Sequence, residues 1–221
     1  MKTIKKNTEK SLINEFIINF ERDALKKKNE NKRFSFVLTG GNSPIKLYKK
    51  LAKSKVDWQN IDLFWGDERY VSQKSKHSNF KLAYDTLIKK VKISKKNIFK
   101  IDTNKKILNS SKNYSNKIKR YFKNKTKSFD YFLLGMGADG HVASIFPNSS
   151  EINEKFIAKQ VLRKDFLRIS LSLNIINNSK KIILWLNNKS KSKKYNQLRM
   201  LGKKIPINNL NKKKTLIFKI N

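Results

Sequence analysis

The sequence predicts an α/β protein: a three-layer α/β/α sandwich around a mostly parallel central sheet, in a single domain over 1–221. Three observations predict it. Short apolar runs of strand length alternate with amphipathic stretches of helical period along the whole chain. Some of those runs are apolar at every position, as in 182–186, which suits strands covered on both faces. With 221 residues, 38% of them hydrophobic, the chain is long enough to bury a substantial core.

The elements follow in order. Leu12, Phe16, Ile17, Phe20 and Leu25 fall at helical spacing and predict an opening helix over 8–28. Phe34–Leu38 is a strand, and Thr39-Gly40-Gly41-Asn42-Ser43-Pro44 leads from it into a helix through Leu47, Leu51 and Ala52. Ser43 suits the N-cap of that helix and Pro44 its first turn. Ile61–Trp65 is the next strand, ending at Gly66. Ser78 caps a helix over 79–91; a strand over 98–101 and a helix over 110–122 follow. The strand 129–134 runs into a glycine-rich loop. Two further strands, 156–161 and 167–173, precede the buried strand 182–186, a lysine-rich helix over 189–201 and a closing strand, Thr215–Ile220. The clearest loops are 123–128 and 148–155, and no internal repeat is present.

The formal charge of +36 ordinarily marks a nucleic-acid or anionic-membrane partner. Here 45 lysines against 7 arginines supply it, beside 26 asparagines and 24 isoleucines, residues that share A/T-rich codons. The lysines are spread along the chain, whereas a base-reading surface uses arginine forks and stacked aromatics. No specific nucleic-acid partner and no membrane partner are therefore expected. The field still favours small anionic substrates and a salt-sensitive attraction to polyanions. The absence of cysteine excludes disulfides, thiolate metal sites and a cysteine nucleophile. No run approaches the roughly 18 apolar residues of a membrane span. The N-terminus lacks the apolar segment of a signal peptide, so a cytoplasmic protein is expected.

In open α/β sheets, ligands sit beyond the carboxyl ends of strands. Three loops lie at such ends. In 39–44, small residues before a helix let backbone N–H groups converge on an anion, although no Walker or dinucleotide spacing is present. In 66–69, Asp67, Glu68 and Arg69 read either as a surface ion-pair cluster or as a guanidinium fork for substrate oxygens, oriented by a carboxylate. In 135–141, Gly135, Gly137 and Gly140 permit close backbone approach, and His141 can accept a proton near neutral pH beside Asp139. The other histidine, His77, sits in a polar stretch and reads as exposed. No GxSxG elbow and no metal-ligand spacing accompany them, which leaves a histidine base acting on water, without metal or cofactor.

Thr39–Pro44, then Trp65-Gly66-Asp67-Glu68-Arg69 with Ser78-Asn79, then Leu134-Gly135-Met136-Gly137-Ala138-Asp139-Gly140-His141-Val142-Ala143-Ser144-Ile145-Phe146-Pro147 resemble the 6-phosphogluconolactonase family in order and spacing. The resemblance covers about 10–210 and extends to Arg168-Ile169-Ser170-Leu171 and Lys191. It implies hydrolysis of 6-phospho-D-glucono-1,5-lactone in the oxidative pentose phosphate pathway by a monomer or dimer. It implies His141 as the base, Asp139 as its orienting partner, and Arg69 on substrate oxygens with Asp67 orienting it. Gly40, Gly41, Asn42 and Ser43 would grip the 6-phosphate with Arg168 and Lys191, and Gly135 and Gly137 would line the site. The chain departs from the family pattern at Asn188, where glycine is usual, at Ser170, where threonine is common, and at its non-acidic tail. Lys189 and Lys193 flank the lysine matched at 191. The rival readings are a glucosamine-6-phosphate deaminase or isomerase-like sugar-phosphate enzyme of the wider superfamily, and a basic nucleic-acid-binding protein.

Overall fold

The structure is a computed structural model and describes residues 1–123 and 125–221. From the N-terminus the chain forms β1 (Lys2–Lys6), α1 (Glu9–Asn29), β2 (Phe34–Leu38), α2 (Ile45–Leu51), β3 (Ile61–Trp65), β4 (Asp67–Arg69), α3 (Asn79–Thr86), β5 (Ile98–Phe99) and α4 (Ile107–Tyr121). It continues through β6 (Tyr131–Leu134), β7 (Ala158–Val161), β8 (Arg168–Leu171), α5 (Leu173–Asn178), β9 (Lys181–Leu186), α6 (Lys189–Leu198) and β10 (Thr215–Ile220). The loop expected over 123–128 includes Asn124, which lies outside the described residues.

The central sheet has seven strands in the order β1-β10-β9-β6-β2-β3-β5, and every pairing is parallel. Its middle strands are buried at each residue, which is why they read as unbroken apolar runs. α1, α2 and α3 pack side by side on one face, and α4 packs on the other. The aromatic packing follows those layers. Phe16 and Phe20 of α1 pack on Phe36, Tyr131, Trp185 and Phe218. On the opposite face Tyr121 of α4 packs on Phe64 and Phe99. Each fully buried large apolar side chain of this kind contributes on the order of 1.5–3 kcal/mol. Thr8 starts α1 by accepting the Ser11 N–H at 3.1 Å, and Lys26, Lys27 and Lys28 in its last turn complement the helix dipole.

From β2 the chain steps outward through β3 to β5. It then returns to β6, on the other side of β2, and steps outward the other way through β9 to β10. β2 and β6 are therefore neighbours whose following loops diverge, and a crevice opens at their carboxyl ends.

Several expectations are corrected. The segments read as strands over 156–161 and 167–173 shorten to β7 and β8, and they do not join the parallel sheet. They form a separate antiparallel sheet with β4, in the order β4-β8-β7. The second ends early because Ser172 accepts the Ile175 N–H at 3.2 Å and starts α5. The helix expected over 79–91 breaks at Leu87 into a 3-10 turn, Ile88–Lys90. Ser43 does not cap α2. Pro44 occupies the cap position with no side-chain hydrogen bond. The Ser43 hydroxyl instead meets the Lys191 ammonium, while the Ser43 carbonyl accepts Trp185 Nε1–H at 3.2 Å.

Candidate active site

The three loops singled out in the sequence meet in one cleft beyond the carboxyl ends of β2, β3 and β6. It is lined by Gly40, Gly41, Asn42, Ser43, Asp67, Arg69, Gly135, Gly137, His141, Arg168 and Lys191, together with Thr39, Asn79, Met136 and Ala143. The cleft encloses about 520 Å³ with its open mouth included. Of the predicted site residues only Asp139 lies off the lining, and it holds His141 from behind.

Backbone geometry places the histidine. Gly135 N–H donates to Thr39 Oγ1 at 3.2 Å, which ties the β6 loop to the β2 loop. Gly137 N–H donates to the His141 carbonyl at 3.0 Å, and Gly140 N–H to the Gly137 carbonyl at 3.0 Å. Gly140 has φ +87°, and a Cβ there would stand 2.5 Å from Ile205 Cγ2, so only glycine fits this turn. The loop folds back and lays the imidazole over Gly137, where a Cβ would come within 2.1 Å of His141 Cε1. His141 Nδ1 is 2.7 Å from Asp139 Oδ1, and the same oxygen accepts the His141 backbone N–H at 3.1 Å. An Nδ1–H facing a carboxylate leaves Nε2 as the proton acceptor. Burial alone would raise the Asp139 carboxyl, but the hydrogen bonds from His141 outweigh it and hold the group at about 2. The Phe146 ring, centred 4.6 Å from the imidazole, backs it.

Cations converge from elements far apart in sequence. Antiparallel pairing sets Arg69 of β4 directly opposite Arg168 of β8. Like charges in cross-strand register repel, and both Nε atoms are buried without a hydrogen-bond partner. Such an arrangement is suited to an anion between the two forks. Arg168 pairs with Asp165, and Arg69 Nη1 donates to the His77 carbonyl at 3.0 Å. Lys191 reaches Ser43 from the first turn of α6. Burial lowers its ammonium, and among the described residues no carboxylate lies within 4.0 Å of it. Of the three neighbouring lysines it alone lines the cleft; Lys189 and Lys193 are exposed. Asn188 caps α6, accepting the Lys191 N–H at 2.8 Å, with φ −150°, so the position requires no glycine.

A profile of the family described as glucosamine-6-phosphate isomerases/6-phosphogluconolactonase matches residues 7–218. The chain belongs to that family. A 6-phosphogluconolactonase of Thermotoga maritima is 33% identical over 180 residues, covering 80% of each chain. One from Synechocystis is 32% identical over 162 residues, covering 71% of this chain and 68% of the relative. The crystal structure of 6-phosphogluconolactonase from Thermotoga maritima superposes with a TM-score of 0.84 at 28% identity, covering 99% of both chains.

In this family member one expected contact is absent. Asp67 does not pair with Arg69: among the described residues no carboxylate oxygen lies within 4.0 Å of the Arg69 guanidinium nitrogens. Asp67 instead accepts Ser144 Oγ–H at 2.6 Å and Asn79 Nδ2–H at 3.2 Å. Glu68, which the motif offered as a possible cluster acid, points away from the cleft. It accepts the N–H groups of Arg69, Asn79 and Phe80 and the Ser78 hydroxyl, pinning the start of α3 to β4. Asn79 and Ser144 therefore belong to the site although neither was picked out as a site residue. Their only sequence signal was membership of the matched motifs. Among the described residues no group of three or more metal-ligating side chains is found, and no helix is long and apolar enough to cross a membrane.

Proposed function

We propose that the protein hydrolyses 6-phospho-D-glucono-1,5-lactone to 6-phosphogluconate, with His141 activating water. The observation that carries this reading is the shared cleft: a histidine with a free Nε2 on one wall, and Arg69, Arg168, Lys191 and the 40–43 turn around the same space. A hexose with a charged tail can touch both at once.

The 6-phosphate rests on Gly40, Gly41 and Ser43 with Lys191 and Arg168. His141 Nε2 takes a proton from water as its oxygen bonds to the lactone carbonyl carbon. The carbonyl oxygen becomes an oxyanion facing Arg69. Collapse of this intermediate breaks the bond from that carbon to the ring oxygen, and His141 returns its proton there. The acid formed then ionises to the product carboxylate. Asp139 keeps the proton-bearing Nδ1 fixed and offsets the charge on the imidazolium. The test is a lactone-opening assay on freshly generated substrate, with the spontaneous rate subtracted. A rate no higher than background would overturn the reading.

Asp139→Asn is expected to lower kcat on the order of 10²-fold or more, because an amide can turn its NH₂ toward Nδ1 and move the proton to Nε2. In the unsubstituted protein the carboxylate is depressed to about 2, so its contact is present at neutral pH and is lost only as pH falls through about 2. Asp139 should therefore add no proton to an acid limb of kcat above about pH 3. A plot of log kcat against pH with an acid limb of slope two would contradict this.

A further inference from the structure

Asp67 and Arg69 sit two residues apart on β4, so their side chains leave the same face of the strand. Both line the cleft, and Asp67 is almost fully buried. Opposite charges so placed attract strongly in a partly desolvated cleft. Nothing covalent keeps them apart, yet they do not meet.

What holds Asp67 away is a pair of neutral donors. Ser144 Oγ–H donates to Oδ2 at 2.6 Å, and its backbone N–H is anchored on Ser170 Oγ at 3.1 Å. Asn79 Nδ2–H donates to Oδ1 at 3.2 Å and also to the Asp67 backbone carbonyl at 2.9 Å. The Asn79 amide lies where a side chain at Gly40 would begin: a Cβ there would stand 1.8 Å from Asn79 Oδ1. That Oδ1 is buried with no partner, a cost the fold accepts while Nδ2 does the holding.

We infer that Asn79, assisted by Ser144, is a positioning residue that keeps the Asp67 carboxylate off Arg69, so that the arginine's charge stays available to the anionic substrate. The inference rests on the proposed function in taking Arg69 as a substrate contact. With Asn79 gone, Asp67 turns toward Arg69 and neutralises it before any ligand arrives.

The test is a double-mutant cycle read by calorimetric binding of 6-phosphogluconate as well as by kinetics. Asn79→Ala raises both the KM for the lactone and the Kd for 6-phosphogluconate roughly tenfold, about one hydrogen bond to a charged group, and it lowers kcat as well, because the neutralised Arg69 is the group that faces the oxyanion. In an Arg69→Ala background the same substitution changes Kd less than twofold, because there is no longer a cation to neutralise. Gly40→Ala added to Asn79→Ala refills the vacated space. It recovers Tm but leaves KM high. Ser144→Ala gives the same signature should Asn79→Ala fail to fold. Three results overturn the inference: unchanged Kd in a folded Asn79→Ala protein, an undiminished loss in the Arg69→Ala background, or recovery of KM once Gly40→Ala refills the space. If the unsubstituted protein binds 6-phosphogluconate without opening the lactone, the proposed function fails while the cycle still decides the inference. Absence of binding overturns both.

Discussion

With His141 replaced by alanine, kcat for lactone opening falls on the order of 10²–10⁴-fold, the contribution of a positioned general base. The fold should not notice. The imidazole side chain is 30% exposed. Its ring rests on Gly137 and meets the Asp139 carboxylate and the Phe146 ring, none of which belongs to a strand of the central sheet. A surface change of this kind stays within about 0.5 kcal/mol, which moves Tm by about 1–2 °C in a chain of this size. The phosphate end of the site is untouched, so 6-phosphogluconate still binds. Stopped-flow or pH-stat rates corrected for spontaneous opening, beside a thermal melt and a binding titration, check all three. A variant that retains more than about a tenth of the rate would remove His141 from the chemistry.

Gly137→Ala should be nearly as damaging while leaving every catalytic side chain in the sequence. The new methyl would sit 2.1 Å from His141 Cε1 and 2.2 Å from Nδ1, so the ring cannot remain where it is. Leaving that seat breaks the 2.7 Å contact with Asp139 and moves Nε2 by about 1 Å or more, a displacement on the scale that costs about 10²-fold in rate. Unlike Gly140 and Gly41, Gly137 has an ordinary backbone conformation, so the loss comes from steric eviction of the ring and not from backbone strain. Two readouts separate this from unfolding. Tm stays near that of the unsubstituted protein, and the His141 ring resonances change chemical shift as the contact with Asp139 is lost. Wild-type kcat in this variant would mean that the ring works from a different position.

The sequence made the middle of this fold legible and its margins obscure. The buried runs Phe34–Leu38, Ile61–Trp65 and 182–186 stand out because parallel strands shielded on both faces need no polar alternation. β1 carries no such mark. It lies at the sheet edge, Ile4 is its one apolar side chain, and its exposed lysines suit a strand that must not recruit another chain. β4 was hidden for another reason: three charged residues open to reading as a surface cluster or as a guanidinium fork become a strand through antiparallel pairing with β8, which buries Asp67 and Glu68. The site was legible to the same degree. Asp139, His141 and the 39–43 turn announce themselves locally through glycine spacing. The Arg69–Arg168 juxtaposition and the Ser144 hold on Asp67 depend on contacts across 77 residues or more, and even the Asn79 hold spans 12. No local pattern encodes them.

The pairing of β1 with β10 has a consequence for how the chain is made. β1 is synthesised before β2 through β9 and β10 after them, yet β10 lies between β1 and β9. During translation β1 has no neighbour in the sheet until synthesis has passed residue 220, and Phe16 on the helix behind it waits for Phe218. Closure of that side is a late, long-range event of the kind that slows assembly. A nascent chain stalled before residue 215 should hold α1 and the β2–β3–β6–β9 portion protected from protease, because Phe16 and Phe20 already pack on Phe36, Tyr131 and Trp185, while β1 remains open to cleavage. Release of the final strand then zips both flanks at once.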